Sequence, residues 1–251
     1  MLYNFRRTQL KVDLMKRFKN SLKQAFTLAE VLITLGIIGI VAEMTIPTLM
    51  NNVQDSVFKA GWKKEYSTLN QVINQIYADE GVTYNTADYP DYQYMARYWC
   101  KIQKRLKVVE SGMVCGDEDS SAIYTTYASW PKSGKNLWHS DDAWKAKDGQ
   151  LMRSNTGYFP MTATLADGSM IKFCCGNEFS VDVNGFKKPN VVGKDIYFFL
   201  LNWDGSNKTT LWGYANGSIG PPYETLLTPA NYASDCDSGK GWGCSYKYLY
   251  Q

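Results

Sequence analysis

The segment Ala25-Phe26-Thr27-Leu28-Ala29-Glu30, continuing without a break into Val31-Leu32-Ile33-Thr34-Leu35-Gly36-Ile37-Ile38-Gly39-Ile40-Val41-Ala42, decides how the rest of the chain is read. A carboxylate stands near the start of a run that is otherwise apolar. An acid inside hydrocarbon costs roughly 3 kcal/mol on insertion scales. Such a charge calls for a partner or a task.

The run extends from Phe26 to about Met50 and is broken mainly by Glu30, Glu43 and a few Thr and Gly. At about 1.5 Å per helical residue it crosses a hydrocarbon core of about 30 Å. A secretory signal has an apolar region of only about 7–15 residues with a small-residue cleavage site after it, and neither fits here. Glu43 lies far enough along to reach the outer interface as a snorkelling end-of-span charge.

Before the run, Arg6, Arg7, Lys11, Lys16, Arg17, Lys19 and Lys23 stand against one acid, Asp13. Basic flanks stay in the cytoplasm. The sequence therefore predicts a single-pass helix running outward, with the remainder of the chain outside the cytoplasm.

Basic leader, small residue, Phe-Thr-Leu-x-Glu and apolar helix together resemble the class III signal of type IV prepilins and type II secretion pseudopilins. The resemblance is close from Lys23 to roughly Tyr77 and holds in outline beyond. It implies a membrane-embedded prepilin peptidase that cuts between Ala25 and Phe26 and N-methylates Phe26. Ala25 stands where the family usually has Gly; Ala is the next smallest side chain. The resemblance gives Glu30 the assembly role of the family's acid, paired with the new Phe26 amine of a neighbouring subunit, and makes Pro47 the family's helix-kinking residue. The partners it implies are homologous pilin subunits, the peptidase, the inner-membrane assembly machinery, and membrane lipid before assembly. The expected location is the bacterial inner membrane and then an extracellular filament. A type II secretion pseudopilin is the near alternative. A membrane-anchored surface binding protein that never polymerises is the alternative of a different kind.

The expected organisation is a cleaved leader over 1–25, a membrane and assembly helix over 26–50, an amphipathic extension over 51–80 and a β-rich head over 81–251. The expected class is α+β, a long N-terminal helix packed on an antiparallel sheet. Val53, Val57, Trp62, Tyr66, Leu69, Val72, Ile73 and Ile76 recur at mostly three- and four-residue spacing, while Gln54, Asp55, Lys59, Lys63, Lys64 and Glu65 fall largely elsewhere. That pattern is an amphipathic helix with an apolar stripe, and Gly81 supplies a stop. A head of about 170 residues holds one real core. The formal net charge of +3 lies partly in the leader, and no strongly basic nucleic-acid surface is evident.

From Gly81 to about Gly157 the sequence reads as irregular, with a short helix over Ala96 to Val109 and a loop over Lys132 to Gly149. Strands follow at Tyr158 to Leu165 and Ser169 to Cys175, joined by the hairpin dipeptide Asp167-Gly168. Further strands are read at Glu178 to Val183 and Asp195 to Leu201, completing an antiparallel meander.

The segment between the last two contains Asn184-Gly185 and Pro189-Asn190, which are turn chemistry. It resembles a D-x-N-G…P-N…G-x-D segment found in many pilin-like heads. Asp182, Asn184, Asn190 and Asp195 also offer oxygens of the kind calcium takes, although not at EF-hand spacing. Turn and calcium site both stand as readings; no other cofactor is indicated.

The cysteines are Cys100, Cys115, Cys174, Cys175, Cys236 and Cys244, an even number in a part expected to be oxidising. Short loops favour Cys100–Cys115 and Cys236–Cys244. Cys174 and Cys175 are adjacent, and if they point to opposite faces of a strand each needs a different partner. Zinc is the rival, but there is no CxxC pair and His139 is the sole histidine. The chain reads as no enzyme: it has no G-x-S-x-G elbow, no P-loop and no G-x-G-x-x-G. Asn207-Lys208-Thr209 and Asn216-Gly217-Ser218 match glycosylation sequons but read as turns in a bacterial chain.

Overall fold

The computed structural model describes residues 27–84, 92–113, 115, 144–150, 161–174, 178–203, 209–213 and 232–250. The opening helix, α1, spans Leu28–Glu80, 53 residues with Pro47 inside it. Its first part, up to Val53, forms a compact unit of its own, and residues from Gln54 onward form the second. One stretch of α1 near the N-terminus is long and apolar enough to cross a membrane.

Pro47 lacks an N–H to complete the helical ladder, yet the helical conformation continues on both sides of it. Thr45 Oγ1 donates to the Val41 carbonyl at 2.8 Å, so this hydroxyl is satisfied within its own helix. Gly81 ends α1 with φ of 65°, a conformation that a Cβ disfavours. Its N–H donates to the Tyr77 carbonyl at 2.9 Å.

In the second unit, α1 buries Phe58, Trp62, Glu65, Leu69, Val72, Ile73 and Ile76. Two expectations are corrected here. The stripe starts at Phe58, since Val53 and Val57 are 53% and 60% exposed. Glu65, placed by the sequence among the outward polar residues, lies inside the stripe at 2% exposure. It occupies the position one turn on from Trp62, where helical periodicity would put an apolar side chain.

Helix α2 spans Tyr92–Arg105. The expected helix over Ala96 to Val109 is thus shifted toward the N-terminus. Val108 and Val109, β-branched residues, open strand β1, Val108–Ser111, instead. Buried Met95, Ala96, Tyr98, Trp99 and Ile102 turn one face of α2 into the core. Arg105 Nη2 reaches Glu80 Oε1 at 2.8 Å, and Lys101 pairs with the same carboxylate.

The remaining strands are β2 (Thr162–Leu165), β3 (Met170–Cys174), β4 (Glu178–Asp182), β5 (Ile196–Trp203) and β6 (Thr209–Gly213). The described residues form one six-stranded sheet in the order β1-β2-β3-β4-β5-β6. Every neighbouring pair is antiparallel, a meander. The architecture is α+β.

Register explains the core. Phe173 lies opposite Phe179, and Phe179 opposite Phe199. Their rings stack at centroid distances of 4.5 and 5.0 Å. Trp62 of α1 closes the column, 5.5 Å from Phe199 and 5.1 Å from Tyr197. Ala163, Ile171 and Val181 share this face through the same alternation. Met170, Ile196 and Phe198 point the other way and form a second cluster with Trp144, Val192 and Trp242.

Two short helices end the described chain, α3 (Tyr232–Ser238) and α4 (Cys244–Tyr250). Trp62 Nε1 donates to the Ser245 carbonyl at 2.9 Å, which ties α4 to α1. Between α1 and Trp144 the irregular region expected from sequence is described only in part: Trp144–Gln150 form a bridge at Lys145 and a tight turn. His139 and Asn216 lie outside the described residues, as does all of the first sequon except Thr209, which opens β6.

Candidate functional site

Two places carry the residues singled out from sequence: the start of α1, and the connection between β4 and β5. At the first, Thr27 stands immediately before the helix and Glu30 lies in its first turn. The Glu30 N–H donates to Thr27 Oγ1 at 3.2 Å. In return, Glu30 Oε2 accepts the Thr27 N–H and the Thr27 hydroxyl, each at 2.8 Å. This reciprocal arrangement is a capping box, which satisfies donors that a helix start leaves without intrahelical partners. The carboxylate also sits at the positive end of the helix dipole.

The acid therefore has a local partner within its own chain. The contacts with Thr27 run through Oε2 and the Glu30 N–H. Ala25 and Phe26, the residues of the expected cut, lie outside the described residues. Along the following helix the large apolar side chains face outward: Leu32 is 61% exposed, Ile33 62%, Leu35 60% and Ile38 61%. Glu43 and Pro47 are exposed as well.

At the second place, the register of β4 against β5 brings the ends of the connection together. Asp182 pairs with Ile196, and the Val183 N–H donates to the Asp195 carbonyl at 2.9 Å. Asp182 and Asp195 are both 0% exposed, and Asn190 is 2% exposed. Asp195 Oδ2 accepts the Asn190 N–H and Oδ1 the Val191 N–H, both at 2.8 Å. Asp182 Oδ1 accepts the Asn184 N–H at 3.2 Å, and Asn184 Nδ2 donates to the Lys188 carbonyl at 3.2 Å. The Lys188–Pro189 bond is cis, and Asn190 has φ of 56°, a region that Asn enters more readily than most residues.

The segment at Trp144 completes the arrangement. The Lys145 N–H donates to the Asn190 carbonyl, and the Val192 N–H returns to the Lys145 carbonyl, each at 2.9 Å. Burial and the neighbouring Asp195 charge push Asp182 well above the usual carboxylate range, against the pull of the backbone amides and of the Trp144 indole. Burial also raises Asp195, opposed by the amides of Val191 and Asn190.

The four oxygen residues thus converge on one turn. Asp195 gives both oxygens to backbone amides. Asp182 Oδ2 and Asn184 Oδ1 are buried and accept no hydrogen bond of good geometry. Among the described residues no group of three or more His, Cys, Asp or Glu is placed to hold a metal. The geometry is that of a self-contained turn.

The cysteines Cys100 and Cys115 form a disulfide, as do Cys236 and Cys244, with Cα separations of 5.4 and 4.6 Å. The first ties α2 to the segment after β1; the second closes the α3–α4 turn. Cys174 ends β3, and Cys175 lies outside the described residues.

Comparison with known proteins finds no match to a family model, to a curated protein or to a solved structure. The reading of the site rests on its own chemistry.

Three residues that matter were not singled out from sequence. Thr27 was legible: Thr-x-x-Glu ahead of an apolar run is the capping-box signature. Ser245 is buried and bonds the β5 backbone, with the Phe198 N–H donating to its Oγ at 2.9 Å, and no local pattern announces that. Glu65 was concealed because its partner, Asp167, lies on a distant turn.

Proposed function

We propose that this chain is a structural subunit of a type IV pilus-like filament. It is inserted in the inner membrane, cut between Ala25 and Phe26 by prepilin peptidase, N-methylated at Phe26, and polymerised through α1 with homologous subunits by the inner-membrane assembly machinery. The observation that carries this reading is an apolar helix exposed all along its first part, with an acid held in its first turn. Burying one large apolar side chain is worth about 1.5–3 kcal/mol. Lipid can cover such a surface before assembly, and copies of the same helix can cover it afterwards.

The acid adds register to that non-directional attraction. A carboxylate fixed by its own Thr27 presents its remaining oxygen in one direction. The amine created at Phe26 by cleavage supplies the matching cation from a neighbour. The head performs no chemistry in this reading. Its size and cysteines favour a pilus over a secretion pseudopilus.

N-terminal sequencing and intact mass of native material test the reading. The expected product starts at N-methyl-Phe26. A chain that keeps Met1 sinks the proposal and leaves the non-polymerising anchored protein in its place.

A further inference from the structure

We propose that Glu65, Lys64 and Asp167 form a proton-operated latch between α1 and the β2–β3 turn, closed when Glu65 carries a proton and loosened when it ionises. The geometry comes first. Glu65 is 2% exposed within the apolar stripe of α1, between Trp62 and Leu69. Its Oε1 lies 3.2 Å from Lys64 Nζ, and its Oε2 accepts no bond. Lys64 reaches across to Asp167 Oδ2 in the turn. Asp167 Oδ1 meanwhile accepts the Ser169 N–H at 3.0 Å and the Ser169 hydroxyl at 2.7 Å.

With both acids ionised this cluster has two negative charges and one positive, one of them almost fully buried. An uncompensated buried charge is strongly destabilising. One proton balances it: Glu65 then becomes an O–H donor toward Asp167, while Lys64 stays paired with the remaining carboxylate. On ionisation the proton leaves to solvent, and two like charges face each other beneath the turn.

Among the described residues, the charged groups acting on Glu65 are Lys64 on its own helix and Asp167 on the turn. Burial, and then the nearby Asp167 carboxylate, raise Glu65 from 4.5 to about 7, with Lys64 pulling the other way. Burial also acts to raise Asp167, but the Lys64 ammonium and the Ser169 donors outweigh it and hold that carboxyl low. The folded head keeps a proton on Glu65 that the unfolded chain releases above 4.5. Its contribution is therefore full at acid pH and is lost as the pH rises to about 7.

The latch reaches beyond one turn. A Cβ on Gly185 would run into the Gly168 carbonyl oxygen, so the β2–β3 and β4–β5 turns touch backbone to backbone. A Cβ on Gly61 would lie 3.2 Å from Val183 Cβ, so α1 abuts the second turn as well. Loosening Asp167 from α1 frees a stacked pair of turns.

The test is equilibrium unfolding of the full chain in detergent from about pH 5 to about pH 8.5, wild type against Glu65→Gln. Asp182 titrates in both proteins, so the difference curve isolates Glu65. The expected difference is a relative loss of wild-type folding constant on the order of 100-fold, complete by about pH 8. A difference curve flat within about threefold overturns the proposal. Infrared spectroscopy gives an independent readout: a protonated-carboxyl band that disappears with a midpoint near pH 7. The wild-type minus Glu65→Gln difference spectrum should contain that band, the Asp182 contribution being common to both proteins; its absence from the difference, or a midpoint near 4.5, also overturns the latch. Should Glu65→Gln fail to fold, Asp167→Asn carries the test, since its amide favours ionised Glu65. The midpoint must then fall by about one pH unit or more, and an unmoved midpoint refutes the latch.

Discussion

Thr27 and Glu30 satisfy each other, the Glu30 N–H donating to Thr27 Oγ1 while Glu30 Oε2 accepts the Thr27 N–H. The same acid thus has two separable tasks, one in starting the helix and one in its charge. Thr27→Ala removes the cap, worth about 1 kcal/mol. Amide exchange at Glu30 and Val31 in micelles should then speed up about fivefold, and Thr27→Ser should restore it. Glu30→Gln keeps the capping geometry, because Gln serves in the same box. It should leave exchange nearly unchanged and abolish incorporation into filaments; incorporation at the wild-type level would show that the charge sets no register.

Ser245 is placed to complete strand β5. Among the described residues β6 pairs with β5 from Phe199 onward, and Ser245 Oγ takes the preceding Phe198 N–H at 2.9 Å. Ser245→Ala leaves a buried donor unmet, which costs about 1–3 kcal/mol. Guanidinium unfolding should show a lower midpoint with an unchanged slope.

The column Phe173, Phe179 and Phe199 is continuous from β3 to β5 and ends on Trp62. Phe179 stands in the middle with 0% exposure. Phe179→Ala should cost about 3–5 kcal/mol, from lost transfer energy and a cavity that the stacked neighbours cannot fill. Phe179→Leu should cost clearly less. Equal losses in the two variants, measured by denaturant unfolding, would mean that retained apolar volume does not compensate and that the ring stacking carries the cost.

The meander was legible because its strands alternate and Asp167-Gly168 marks a turn between two of them. Asp204-Gly205 offers the same signal before β6 and went unused, since Thr209-Thr210-Leu211-Trp212-Gly213 is short and flanked by polar residues. The C-terminal helices of seven residues each are too short for periodicity to reveal. They are fixed instead by tertiary ties: the Cys236–Cys244 bond, and Asp235, whose oxygens accept the Lys240 N–H at 3.0 Å and the Gly243 N–H at 2.7 Å. The stripe, expected from Val53, starts at Phe58 because Val53, Val57 and Phe58 are all apolar, and only packing distinguishes them. At the candidate assembly segment the local pattern carried the capping residues outright.

The two disulfides close loops of different origin, with sequence separations of 15 and 8. Replacing Cys236 and Cys244 together by Ser should destabilise the head by about 2–3 kcal/mol through the gained freedom of the unfolded chain. It should also loosen the Lys147 ammonium from the Cys236 carbonyl, which it now caps. Limited proteolysis should therefore cut first within 232–250 in the double variant. Cleavage there at the wild-type rate would mean that Asp235 alone holds the α3–α4 turn.

Asp182 and Asp195 look alike in sequence, yet they should respond oppositely to amide substitution. Burial and the Asp195 charge hold Asp182 well above its ordinary range, so the neutral form is favoured at that position. The folded state binds a proton there that the unfolded chain releases above 3.8, so stability attached to Asp182 falls as the pH rises from that value. Asp182→Asn substitutes a permanently neutral isostere. It should leave stability at about pH 5 within about 1 kcal/mol of wild type and reduce the loss on going to higher pH. Asp195 instead accepts the Asn190 and Val191 N–H groups with its two oxygens. An Asn there offers one acceptor and turns an N–H₂ donor toward an amide, stranding a buried donor at about 1–3 kcal/mol. Unfolding of both variants across the pH range checks the contrast. Equal destabilisation at about pH 5 would show that Asp182 is ionised in the fold and that the proton belongs elsewhere in the pair.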